Sequence, residues 1–387
     1  MTDFDDHLIA EMTAWRHQLH AAPEFGFHEQ LTSSFVAQKL REMAIEYEQG
    51  VGGTGVVASL TLGSSPRSIA LRADMDALRI QEKSNVPHRS HHDGVMHACG
   101  HDGHTTMLLG AAKVLATHGG FDGTVRFIFQ PAEEWGRGAL AMIDDGLLER
   151  FPFSEIYGLH NWPGSPVGTF LTRAGALMSA EDNFEIVIRG RGGHASRPHV
   201  GREVMTAACA TVMNLQSIVS RRVDPADTAV VSVTELHTDG TRNVLPGEAR
   251  ITGDVRHYRS DVSQLIEAEM RTIASGTAAT YGCAVEVAYT REFIPLINDA
   301  TATQAALTAA RAVFGEKAVR DDYPPVTVAE DFAQFLRHVP GCFALVGNGE
   351  ASMPLHNPCY DFDDGLLSLG ARFYVDLVRQ RLPSKAG

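Results

Sequence analysis

Within eight positions, the stretch GVMHACGHDGHTTMLLGAA (94–112) brings together His97, Cys99, His101 and His104. Thiolate and imidazole are good ligands for zinc and similar transition metals. Read as an extended segment, it points Cys99 and His101 to one side, because strand side chains alternate. Alone it fits a metal site and a buried structural thiol beside capping histidines equally well. Other segments tip the balance. FQPAEE closes an apolar run with Glu133 and Glu134. Neighbours leaving a strand point in different directions, so one carboxylate can bind metal while the other contacts a metal-bound water; an acid-rich first helical turn would look the same. YGLHNWP sets His160 at the end of another apolar run, and PLHNPCYDFDD sets His356 in a loop before the last helix. In LRADMDAL, Asp74 and Asp76 suit ligands, carboxylates orienting a ligand histidine, or plain turn residues.

GRGGHASRPH (190–199) offers His194 after two glycines. It suits a hydrogen-bond donor reaching into a cleft better than a ligand, because it belongs to a different folding unit. Asn243 and Arg256 suit a substrate carbonyl or carboxylate, and Arg256 equally suits an exposed strand position. A GxSxG elbow, a phosphate-binding GxxxxGK[ST] and HExxH are all absent. The glycines of EEWGRGA do not follow a strand as a dinucleotide fingerprint does, which argues against a nicotinamide enzyme.

The elements that must position these groups alternate. Two amphipathic helices come first, one with Leu8, Ile9, Met12, Trp15 and Leu19 on a face, the next with Leu31, Phe35, Leu40 and Met43. Strands are expected at 55–60, 68–74, 123–130 and 155–160, with a helix at 104–117. That alternation predicts an α/β/α sandwich with a largely parallel sheet. Residues 181–294 read differently: strand 183–190, helix 201–221, strands 228–238 and 248–256, helix 262–280, strand 283–290. This βαββαβ order is the ferredoxin-like, split βαβ unit. Helices at 301–315, 330–337 and 363–382 and a strand at 342–348 restore the first pattern. The expected division is a catalytic domain of 1–180 and 295–387 interrupted by an inserted domain, 181–294. A chain of 387 residues is long enough for two cores.

A formal net charge of −14 argues against a nucleic-acid partner. No apolar run approaches the roughly 20 residues that span a bilayer. The five cysteines are scattered without framework spacing, and MTDFDDHL lacks the basic-then-apolar pattern of a secretory signal. The expected location is the cytoplasm.

Taken in order, LRADMDAL, GVMHACGHDGHTTMLLGAA, FIFQPAEE, GLHNWP, GGHASRPH and AEDF (329–332), with WRHQLHAAPEFGFHE (15–29) before them, resemble the dinuclear-metal amidohydrolases. These include aminoacylases, hippurate hydrolases and plant auxin-conjugate hydrolases. The resemblance covers essentially the whole chain, and its Cys-x-His motif marks the hippurate and auxin-conjugate branch. It implies Cys99, His101, Glu134, His160 and His356 as ligands of two divalent ions, Zn(II) or Mn(II) first, with Co(II) or Ni(II) admissible. Cys99 would bridge, His101 and His160 serving one ion, Glu134 and His356 the other. Glu133 would be the general base and acid; Asp76, from its place after the strand, is the candidate carboxylate behind the ligands. The insert would act as lid and as the surface of a homodimer or homotetramer, with His194 completing the partner subunit's site. Asn243 resembles the family's substrate-contacting asparagine. The chain departs at Arg79, where a proline is usual, and after the proline of NVLPGEAR.

The expected reaction is hydrolysis of N-acyl, including N-aroyl, amino acids to a carboxylic acid and a free amino acid. Dipeptides or N-acetylated diamino acids are the alternative substrates. A Cys99-nucleophile amidase and a non-catalytic metal-binding protein are the competing classes.

Overall fold

The computed structural model describes residues 3–384, which form two compact units. The first takes the chain up to Leu177, then Ile297–Pro324 and Asp331 onward; the second takes Met178–Leu296 and Pro325–Glu330.

The first unit opens with α1 (Asp6–Ala21) and α2 (Gln30–Glu42). Asp5 caps α1, its carboxylate accepting the Leu8 N–H at 2.9 Å, which satisfies a donor that has no partner inside the helix. The buried face of α1 holds the expected Leu8, Met12, Trp15 and Leu19, but also Arg16 and His20. The sheet is built from β1 (Glu46–Val51), β2 (Gly55–Leu62), β3 (Ser68–Asp74), β4 (Gly123–Gln130), β5 (Ile156–Trp162) and the strand Gly341–Gly347. Its order is β1-β2-β4-β3-β5, then Gly341–Gly347, then the short strands Phe170–Leu171 and Val319–Arg320.

Strands β4, β3, β5 and Gly341–Gly347 run parallel, and β1 and β2 run antiparallel at one edge. β3, β5 and Gly341–Gly347 are buried nearly throughout, as parallel strands covered on both faces must be. Helix α3 (His101–His118) packs on β3 and is covered by α1 and by the helix Gly365–Arg381.

The second unit is an antiparallel sheet in the order Ala229–Thr238, Glu248–His257, Ala180–Arg189, Ala284–Phe293. Helices Val204–Arg221 and Ser260–Thr280 pack on it around Ile186, Leu215, Ile251, Ile266 and Met270. The α/β fold class with a split βαβ insert therefore matches the expectation.

Three local expectations need correction. Helix α3 starts at His101 rather than 104, so Cys99 and His101 do not share an extended segment. The helix expected at 330–337 shrinks to Ala333–Leu336, because Asp331 is held by side chains of the sheet rather than starting a helix. Residues 325–330 return to the second unit, where Ser179 N–H donates to Val326 O and Val328 O at 3.1 and 3.0 Å.

Candidate metal centre

Parallel β3, β4 and β5 end on one edge of the sheet, where open α/β folds place their sites. Asp74 closes β3 opposite Gln130, which closes β4, so the loops carrying Asp76 and Glu133–Glu134 leave side by side. His160 lies near the end of β5. Gly100 turns the chain from Cys99 into α3 at φ +91°. A Cβ there would sit 2.2 Å from Asn161 Oδ1 and 2.7 Å from the Tyr360 hydroxyl, so only glycine fits. His356 adopts φ +63°, unusual for a residue with a Cβ, and its N–H donates to Ala98 O at 2.8 Å. That bond ties the His356 loop to the residue before Cys99.

These turns bring five side chains together in two groups that share Cys99. Donor atoms of Cys99, His101 and His160 lie within 4.8 Å of one another, and so do those of Cys99, Glu134 and His356. A third group of the same size joins His101, Glu133 and Glu134. Cys99 Sγ is 3.4 Å from His160 Nε2, and His356 Nε2 is 3.4 Å from Glu134 Oε1. His101 Nε2 and Glu134 Oε1 are buried and 3.9 Å apart; His101 Nε2 has no hydrogen-bond partner, and Glu134 Oε1 has only the 3.4 Å approach of His356 Nε2. Buried polar atoms normally find partners. A neutral His101 and an ionised Glu134 facing each other in this way fit a divalent cation between them.

The surroundings set each ring for that task. His101 Nδ1 bonds Asp76 Oδ1 at 3.1 Å, and His160 Nδ1 bonds the Asn161 carbonyl at 2.7 Å. With the proton held on Nδ1, each ring in its neutral form turns the Nε2 lone pair toward the cluster. Asp76 also accepts the Glu134 N–H on its other oxygen at 3.1 Å, so one carboxylate orients two of the five residues. Asp76 is thereby seen behind the cluster, as a carboxylate that aims it.

Electrostatics point the same way. Burial pushes the Cys99 thiol well above its ordinary range, and Glu134, Glu133 and Asp74 push it further. Burial also works against a charged His101, but Asp74, Asp76 and Glu134 outweigh it and raise that imidazole to about 10. For His160, burial and the neighbouring His104 hold the ring well below its usual range, so it stays neutral. The proton that these carboxylates draw onto His101 stands where a bound cation would take its place, beside the Arg72 guanidinium that already pairs with Asp74.

Several structural residues had no assigned role in the sequence reading. His104 bridges Asp74 Oδ1 (2.6 Å) and Asn161 Oδ1 (2.7 Å). Arg72, completely buried, reaches Gln130 (2.8 Å), Asp74 (2.6 Å) and Asp331 (3.1 Å), locking β3, β4 and the AEDF segment together. Arg72 sits inside an apolar strand run, and a charge in such a run was the available signal. In α1, Arg16 and His20 both meet Asp102, the residue after His101, at 3.3 and 2.9 Å.

In the second unit, His194 is exposed on the two-residue strand Gly193–His194, which pairs with Val244–Leu245. Its Nδ1 bonds the Ser196 hydroxyl at 2.8 Å. Asn243 is brought beside it, its carbonyl accepting the Ala195 N–H at 3.0 Å. Arg256 is held by Glu181 at 2.7 Å and Asp254 at 3.0 Å, partners that a substrate carboxylate would have to displace.

Known proteins resemble the chain over nearly its whole length. A hippurate hydrolase of Campylobacter jejuni is 40% identical over 375 residues, covering 97% of each chain. An N-acetylcysteine deacetylase of Bacillus subtilis is 39% identical over 366 residues, covering 94% of each. A crystal structure from Bacillus subtilis, described as a dinuclear metal binding peptidase from the M20 family, superposes with a TM-score of 0.86 at 34% identity, covering 98% of this chain and 99% of that one. Residues 70–380 match the sequence pattern of peptidase family M20/M25/M40, and the chain belongs to that family.

Proposed function

We propose that the protein is a metal-dependent amidohydrolase that cleaves N-acyl amino acids to a carboxylic acid and a free amino acid. The observation that carries this reading is the pair of donor groups sharing Cys99, with the Glu133 carboxylate within 4.8 Å of His101 and Glu134 donors. Similarity to a hippurate hydrolase and an N-acetylcysteine deacetylase supports the acyl amino acid class. An aroyl group such as that of hippurate is the first acyl group to test.

In this reading Cys99, His101, Glu134, His160 and His356 hold two divalent ions, Zn(II) or Mn(II). When bound, such a pair lowers the pKa of water and supplies Lewis acidity toward the amide carbonyl. Glu133, buried beside the ligands, accepts a proton from the attacking water and returns it to the leaving amine nitrogen as the C–N bond breaks. His194 donates a hydrogen bond to the carbonyl oxygen as negative charge builds there, whichever copy of the chain supplies it. Asn243 and Arg256 are assigned to the substrate's polar groups.

A Cys99 nucleophile is disfavoured, since such thiols act at lowered pKa and this one is pushed up. Five free cysteines fit a reducing compartment such as the cytoplasm. We assign the second unit, 181–294 in outline, as the lid and the surface of a homo-oligomer.

Elemental analysis, paired with hippurate hydrolysis before and after chelation and metal add-back, tests the proposal. About two metals per chain, with activity lost and restored, is the expected result. Hydrolysis by metal-free protein would overturn it.

A further inference from the structure

The segment WRHQLHAAPEFGFHE ends on a glutamate for which the reaction has no direct use. Glu29 is completely buried, yet it lies at the start of α2, far along the chain from every ligand. Its Oε1 accepts the Ala132 N–H at 2.9 Å, and its Oε2 accepts the Thr54 hydroxyl at 2.5 Å.

Ala132 is the residue before Glu133. It adopts φ +49°, ψ +42°, a left-handed conformation that residues with a Cβ avoid. This turn ends β4 and starts the single helical turn Glu133–Trp135, which carries both acids to the cluster. The Ala132 peptide is held from three sides. Glu29 takes its N–H, and the Gly138 N–H donates to its carbonyl at 3.1 Å. The Gly26 backbone presses on its side chain so closely that a Cβ on Gly26 would lie 3.0 Å from the Ala132 Cβ. Glycine is needed there, and the closeness is why the segment 26–29 can reach the turn.

We infer that Glu29 is a positioning residue, whose carboxyl locks Ala132 in the left-handed turn and so aims Glu133 and Glu134. The inference rests on the reading of those two residues as proton carrier and ligand. Without Glu29 the Ala132 N–H is left buried with no acceptor, and the turn loses the contact that selects it. A glutamine can make both bonds, its oxygen accepting from Ala132 and its amide donating to Thr54. Burial already pushes the Glu29 carboxyl up to about 7, so a neutral side chain at this place is a small electrostatic change at neutral pH.

The test compares Glu29→Met, similar in volume but without an acceptor, with Glu29→Gln. Metal-free protein is titrated with Co(II) and followed by its absorption, and hippurate hydrolysis is measured on the loaded enzyme. For Glu29→Met the expected result is a second Co(II) equivalent bound about tenfold or more weakly, and kcat reduced about 10- to 100-fold with KM within twofold. Glu29→Gln should restore both to within threefold of wild type. Equal Co(II) binding and kcat in wild type and Glu29→Met would overturn the inference. So would a Glu29→Gln protein as impaired as Glu29→Met. If Glu29→Met does not fold, Thr54→Val is read in its place, with a threefold or larger loss expected and none overturning the inference. Wild-type protein that binds two Co(II) but hydrolyses no acyl amino acid refutes the proposed function alone, and the Co(II) comparison still judges Glu29.

Discussion

Asp76 offers a quantitative test of how the site is held. Its two oxygens serve two of the proposed ligands, Oδ1 taking the His101 ring N–H and Oδ2 taking the Glu134 backbone N–H, both at 3.1 Å. Asp76→Asn keeps the size but leaves one acceptor oxygen. Its amide nitrogen then faces one of two donors, so one bond is lost and a donor meets a donor. Removing a partner of this kind costs about 10- to 100-fold in metal affinity. At about 1.4 kcal/mol per tenfold, the loss is roughly 1.4–2.8 kcal/mol. Asp76→Ala removes both bonds and should reach the upper end or exceed it. Competition against a chromophoric chelator at fixed pH measures the affinity of each equivalent. Because Asp76 touches residues of both donor groups, both equivalents should weaken. Affinities within twofold of wild type in both variants would refute the reasoning.

Three further outcomes are expected. Glu133→Ala should abolish turnover while both metals remain bound by elemental analysis; loss of a metal instead would mean that the roles of Glu133 and Glu134 are exchanged. His194→Ala should lower kcat about 10²–10³-fold, the usual cost of one oxyanion donor, and turnover near wild type would remove that role. In the second unit, burial opposes a charged Asp182, but hydrogen bonds from His257, Ser263 and Tyr289 outweigh it and hold the carboxyl below its ordinary value. A depressed carboxylate stabilises the fold above its unfolded pKa of about 3.9 and loses that contribution as pH falls through its folded value. Thermal melts from neutral to acidic pH should therefore show the wild-type advantage over Asp182→Asn shrinking below about pH 4; an advantage unchanged across that range would contradict the assignment.

Much was legible in the chain itself. Apolar runs with period two or near 3.6 marked most strands and helices, and the βαββαβ order of the second unit followed from their sequence. Cys99, His101, Glu134, His160 and His356 each stand beside a run boundary, where their residue types are conspicuous. Local pattern carries that information because helix and strand periodicity depends only on near neighbours. It also misled where a single glycine decided the path: Gly100 starts α3 at His101 and breaks the extended reading of Cys-x-His.

What the sequence could not supply was the pairing of distant residues. Asp76 belongs to His101 and Glu134, Arg72 to Asp331, and Glu29 to Ala132 only because parallel strands end together and α2 packs beside them. Each is a buried polar group whose partner is tens to hundreds of positions away, and no spacing rule reaches that far. Residue chemistry, local periodicity and the family resemblance thus marked which groups are candidates for binding metal and moving a proton. Tertiary packing alone decided which of them meet, because a buried charge or hydrogen bond is satisfied by whatever the fold brings within about 3 Å.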